Sequence, residues 1–97
     1  MKHVKLKLDE RGHGHFYIPD GEEELVEMEV SFDGNKLAVL HTEVVSIAQG
    51  KGLAKKLLTT MVRYARKNGL KVIALCAFVN MQFKRHPEKY ADVWDKD

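Results

Sequence analysis

The chain has 97 residues, 44% of them hydrophobic and 31% charged, with a net charge of +2 and one cysteine. This balance is that of an ordinary globular protein and speaks against disorder; the charge is too small for a dedicated nucleic-acid binder, and one cysteine forbids an internal disulfide. The length predicts one domain over residues 1–97, and a domain this small buries only about 60–65% of its unfolded surface, which calls for short loops.

The first half has the two-residue period of strands. Val4, Leu6 and Leu8 alternate with lysines and predict a half-buried strand, closed by the turn DERG. HGHFYIP predicts a second, ended by Pro19 and the turn PDG. In ELVEMEVSF, the residues Val26, Met28, Val30 and Phe32 alternate with Leu25, Glu27, Glu29 and Ser31. The DGN that follows is a hairpin signal, and KLAVLHTEVV predicts the fourth strand. Four strands joined by short turns make an antiparallel meander.

The period then becomes helical. Leu53, Leu57, Met61 and Tyr64 fall on one face, and most of Lys55, Lys56, Arg63, Arg66 and Lys67 on the other. Asn68-Gly69 is a stop signal, with basic residues in the last turn to suit the helix dipole. LKVIALC is a continuous apolar run and predicts a strand buried on both faces. The fourth strand, the helix and this fifth strand form a βαβ unit, so strands four and five run parallel. AFVNMQFKR and HPEKYADVW predict two short helices, with Pro87 at the first position of the second.

The fold class expected is therefore α+β, with the glycines of QGKGLA at the carboxyl end of a strand and the amino end of a helix. A helix amino terminus offers unpaired N–H groups and a partial positive charge, and glycine lets an anion approach the backbone. The donors would be the N–H groups of Gly50 through Ala54, with charge from Lys51 and Lys55. Equally, Gly50 and Gly52 serve the turn alone. The spacing is neither that of a Walker loop nor that of a dinucleotide-binding fingerprint.

QGKGLA matches the Q/R-x-x-G-x-G/A motif of the GNAT superfamily of acetyl-CoA-dependent N-acetyltransferases, and the strand order agrees. More narrowly, HTEV, QGKGLAKKL, GLKVIALCAFV and RHPEKY resemble the small single-domain branch of GNAT-like proteins over roughly residues 24–94, with Ala77 where that branch usually has proline. The resemblance implies that the pyrophosphate of coenzyme A sits on Gln49, Gly50, Lys51, Gly52, Leu53, Ala54 and Lys55. It implies that pantetheine lies where the two parallel strands splay apart, and that Phe78, Asn80 and His86 lie near the coenzyme. The helices that usually help form the acceptor site have no room between the first strands.

Acetyl transfer requires a neutral amine, and only ~0.04% of a free lysine amine is neutral at pH 7, a handicap of roughly 4.6 kcal/mol. A base is therefore useful. Alternation puts His41 and Glu43 on one strand face and Thr42 and Val44 on the other, so the imidazole and the carboxylate are neighbours; they form either a base pair or a satisfied pair on a sheet face. Cys76 ends strand five opposite that point. By residue type a lone cysteine is a small buried hydrophobe, while in the branch resembled it is the favoured catalytic candidate, as acetyl carrier or pocket wall. Backbone N–H groups near Val44 and Val45 would polarise the thioester carbonyl. For Phe78 the alternative is core, and for His86 a cap.

The resemblance thus implies transfer from acetyl-CoA to a primary amine on a protein lysine, a polyamine or a small metabolite. A non-catalytic acyl-CoA-binding module on the same scaffold is the alternative; the basic helix face reads as solvated rather than as a nucleic-acid surface. His13 and His15 share a strand face, but no cysteine or acidic cluster completes a tetrahedral site nearby, so no metal is expected. The lone thiol fits a cytoplasmic setting, the amino-terminal segment lacks the apolar core of a secretory signal, and no run approaches the ~20 residues of a bilayer span. Exposed strand edges are compatible with a monomer or a weak homodimer.

Overall fold

The computed structural model describes residues 3–96. One sheet holds β1 (Lys5–Leu8), β2 (His13–Asp20), β3 (Glu23–Asp33), β4 (Lys36–Val44) and β5 (Lys71–Ala74), in that order across the sheet. The first four strands pair antiparallel and β5 pairs parallel to β4. A single turn of 3₁₀ helix at Ser46–Ala48 leads into the glycine loop, followed by α1 (Leu53–Lys67). The chain ends in α2 (Ala77–Arg85) and α3 (Pro87–Tyr90), the latter with Pro87 in its first turn. The expected meander, crossover and paired short helices are all present.

The two periods of the sequence meet in one core. Phe16, Ile18, Met28, Val30, Leu37 and Val39 project from one face of the sheet and are fully buried. Leu57, Leu58, Met61, Val62 and Ala65 of α1 close over them, at the i, i+3/i+4 spacing an amphipathic helix requires. A Schellman motif ends α1: the Leu70 N–H donates to the Ala65 carbonyl at 2.8 Å and the Gly69 N–H to the Arg66 carbonyl at 3.4 Å. Val79 and Phe83 bring α2 into the same core.

Two β-bulges break the strict alternation. Ile18 pairs with Val26 but Pro19 with Glu24, so Leu25 is an extra residue in β3. Val30 pairs with Val39 but Glu29 with His41, so Leu40 is an extra residue in β4. A bulge inserts one residue against its partner strand and shifts the phase of everything beyond it. Leu25, expected beside Glu27 on the far face, is thereby buried next to Val26, and Glu24 joins Glu27 and Glu29 on the other face.

No element among the described residues packs on that other, outer face. The expectation that β5 is buried on both faces is accordingly wrong: Val72 is buried, Ile73 and Ala74 are half-buried, and Leu75 just beyond is 65% exposed. The apolar run covers itself on one side only because both α1 and α2 pack on the inner face. The outer edge of β5 is partly occupied by the chain's own end. The Val72 N–H donates to the Val93 carbonyl and the Asp95 N–H to the Val72 carbonyl, with Trp94 bridged alongside. Lys36 pairs with Asp95, and Arg66 forks onto Asp92 at 2.8 and 3.2 Å. Phe83 stacks on Tyr90 with centroids 4.6 Å apart and meets Trp94 edge-on. No helix among the described residues is long and apolar enough to cross a membrane.

Candidate active site

The glycine loop leaves β4, makes the 3₁₀ turn and enters α1 through Gly52. Gly50 and Gly52 have φ values of +81° and +72°, the left-handed region where only glycine rests without strain. A Cβ on either would meet nothing within 4 Å, so the space in front of the loop is open. Gly52 supplies no side-chain cap, and no acidic residue stands in the first turn of α1. The first helical bond is donated by Lys56 to the Gly52 carbonyl, which leaves the N–H groups of Leu53, Ala54 and Lys55 outside the intrahelical ladder, as at any helix start. The Gln49 amide reaches back to the Val44 carbonyl at 3.5 Å.

These N–H groups border a pocket of about 240 Å³ lined by Val44, Ala48, Gln49, Gly50, Gly52, Leu53, Ala54, Lys55 and Phe78. The pocket runs from the glycine loop to Val44 at the end of β4 and Phe78 in the first turn of α2, beyond the place where β4 and β5 part. Their pairing stops at Val39 and Ala74; the N–H groups of Leu75 and Cys76 both donate to the Val39 carbonyl, at 3.0 and 2.8 Å, and the chain then turns into α2. The Leu40 bulge stands at that point on β4. Beyond it, β4 has a pairing partner only in β3. Asn80 secures the parting by donating from its side chain to the Ala74 carbonyl at 3.3 Å.

Of the two backbone donors expected to polarise a carbonyl, the Val45 N–H is spent on the Leu25 carbonyl at 3.0 Å. Successive N–H groups of a strand point to opposite edges, so the Val44 N–H faces the gap instead. The Val45 N–H is thus not available to a bound carbonyl, and Val45 instead caps the 3₁₀ turn.

The three expected catalytic residues do not form one cluster. Cys76 is 4% exposed and its Sγ lies 3.3 Å from the Thr42 hydroxyl, in a contact where either group can donate. Thr42 pairs with the buried Met28, on the inner face. His41 and Glu43 pair with Glu29 and Glu27 on the outer face, where both are exposed. The side of β4 on which each pair lies is decided by the Leu40 bulge; without it, alternation from the buried Val39 would turn His41 and Glu43 inward. Thr42 is the residue the sequence reading missed. The signal was its position between His41 and Glu43, but nothing in the sequence tells which face meets Cys76.

The remaining expected contacts divide. Lys51 turns away from the pocket and lines, with Asp20, Leu25 and Ile47, a separate hollow on the far side of the loop. His86 is exposed at the junction of α2 and α3, where its N–H donates to the Gln82 carbonyl and its side chain makes no cap. Asn80 holds the end of β5 rather than the pocket wall. On the outer face the carboxylates crowd. A hydrogen bond with Glu24, burial and the nearby charge of Glu43 push Glu27 up. Burial pushes Glu24 the same way, but hydrogen bonds with His15 and Glu27 and the charges of His15 and Lys7 outweigh it and hold Glu24 low. The expectation that no acidic cluster stands near His15 therefore fails: β3 brings Glu24 and Glu27 to it.

The loop and the first turn of α1 offer free backbone donors and the Lys55 ammonium to an anion. A family model described as GCN5-related N-acetyl-transferase matches residues 15–93. Among solved structures, the NMR solution structure of a GCN5-like candidate N-acetyltransferase from Staphylococcus aureus is 36% identical with a TM-score of 0.71. The match covers 98% of this chain and 91% of that one. No curated protein matches. With its mixed sheet, parted parallel strands and glycine loop, the chain belongs to the GCN5-related N-acetyltransferase family.

Proposed function

We propose that the protein transfers an acetyl group from acetyl-CoA to a primary amine. One observation carries this reading: the pocket at the first-turn N–H groups of α1 is walled by Val44 at the end of β4 and by Phe78 in the helix that follows β5, beyond the point where the pairing of the two strands stops. The pyrophosphate would rest on Gly50, Gly52 and the N–H groups of Leu53, Ala54 and Lys55, with the Lys55 ammonium as counter-charge. Helix N-termini hold such anions through oriented donors and the helix dipole. Pantetheine would pass Val44 and Phe78 toward the Thr42–Cys76 pair, and the gap-facing Val44 N–H would polarise the thioester carbonyl.

The acceptor would approach from the bare outer face. Glu43, or His41 beside it, takes the proton from the ammonium, and the neutral nitrogen attacks the carbonyl carbon. The resulting tetrahedral adduct collapses with loss of the coenzyme thiolate, which Cys76 protonates while the Thr42 hydroxyl holds its sulfur, and the second nitrogen proton passes to the Cys76 thiolate as the neutral amide forms. In this route Cys76 carries no acetyl group. Intact mass after incubation with acetyl-CoA is expected to show no adduct; an adduct that disappears in Cys76→Ala would replace direct transfer with a covalent step.

The test of the whole reading is a titration of ¹⁵N-labelled protein with acetyl-CoA, followed by an assay against an amine panel. Shifts are expected at Gly50, Gly52 and Val44, with release of free coenzyme A when amine is added. Absence of any shift would refute the pocket. Binding without turnover on any amine would favour an acyl-CoA-binding module, the second reading, which the uncovered acceptor side supports.

A further inference from the structure

The HGH segment of β2 is not used in the transfer proposed above. His13 and His15 point to the same outer face, and there the β2–β3 register and the Leu25 bulge deliver two carboxylates to His15. Its Nε2 lies 3.1 Å from one Glu24 oxygen and 3.3 Å from the other. The ligating atoms of His15, Glu24 and Glu27 all fall within 4.8 Å of one another. We propose that His15, Glu24 and Glu27 bind a divalent transition cation of the zinc class, with the remaining coordination position open to water.

The donor set suits that class. One neutral imidazole with two carboxylates is a borderline set that favours zinc-like ions over magnesium or calcium, which prefer oxygen alone. Bonds of about 2.0–2.2 Å place tetrahedral ligands roughly 3.3 Å apart, close to the His15–Glu24 spacing, so only Glu27 has to swing inward. The side chains of His15 and Glu24 are 25% and 28% exposed, enough for entry from solvent. Tyr17 holds the His15 ring, with centroids 5.0 Å apart, and the Lys7 ammonium sits over the Tyr17 ring on its other neighbour strand. Negative charge is gathered here: Glu43 of β4 pairs with Glu27 across the sheet and sets a third carboxylate beside the two. A bound cation would offset the charge of these carboxylates.

The experiment is calorimetric titration of tag-free protein with zinc chloride, with ¹H–¹⁵N spectra and His15 ring nitrogen shifts recorded alongside. Saturable binding of one ion is expected, with the largest shifts at His15, Glu24 and Glu27. His15→Gln and Glu24→Gln are expected to weaken it by about tenfold or more, as loss of a ligand must exceed the 10–100-fold typical of outer-shell partners. His13→Ala should leave it unchanged. Binding that does not saturate, shifts centred elsewhere, or an unaltered affinity in His15→Gln would overturn the proposal. Acetyl-CoA shifts at Gly50 and Gly52 are read in the same spectra, so failure here is separate from failure of the acyltransferase reading.

Discussion

Glycines 50 and 52 hold backbone angles that a side chain resists, and no neighbour stands in their way. Substitution is therefore a conformational test rather than a steric one. Gly52→Ala is expected to cost on the order of 1 kcal/mol or more for a left-handed non-glycine residue. Because Gly52 leads into the first turn of α1, the loss should appear mainly as weaker acetyl-CoA binding, read by titration, with a smaller fall in melting temperature. Glu27 tests charge instead. Its raised pKa means that the folded protein holds this proton more tightly than the unfolded chain does. The stability this contributes is present below the ordinary glutamate range and is lost as pH rises through the raised value. Glu27→Gln, in buffer containing a chelator, is expected to be more stable than the parent at pH 7, with the difference closing near pH 4; urea melts at both pH values check it. Glu24 acts in the opposite sense, since its lowered pKa gives stability above the ordinary range that is lost on acidification.

At the scale of elements, α1 does two jobs: its apolar stripe closes the core and its amino end borders the pocket. Leu57→Ala, at a fully buried position, is expected to cost about 2–5 kcal/mol, a large part of what a small domain has. The carboxyl-terminal latch is different in kind. Arg66 and Asp92 bond well, but their side chains are 43% and 56% exposed, so Arg66→Ala is expected to cost under about 1 kcal/mol in denaturant melts, less at high salt. The aromatic trio Phe83, Tyr90 and Trp94 holds the chain end far more firmly. Phe83→Ala should destabilise by about 3–5 kcal/mol and loosen the segment that shields the edge of β5. The order and sense of these elements are legible in the sequence because the hydrophobic period changes from two to helical spacing at Gly52 and returns to a strand-like run after Gly69. The caps of α1 and the Pro87 start of α3 are equally readable, since each depends on local chemistry alone.

What is not legible at the scale of the molecule depends on contacts between distant residues. LKVIALC is apolar throughout, yet one side of β5 is bare, because the crossover helix and α2 share a face. Thr42 and Cys76 are 34 positions apart, and the convergence of Glu24 and Glu27 on His15 exists only once β2 and β3 are in register. Both surprises trace to bulges, which strict alternation cannot foresee. The one at Leu40 has a further consequence. It is in effect an insertion: β4 carries one residue more than its partner β3 can pair with. Removing that residue would leave His41 and Glu43 outward and Thr42 inward, because the ladder to β3 resumes in the same phase. A single-codon deletion of Leu40 should therefore give a folded protein with every other side chain kept, but with β4 straightened against β5 and the slot between them narrowed. Loss of acetyl-CoA binding in a variant that still melts cooperatively is the expected outcome, and retained affinity would show that the slot does not depend on the kink.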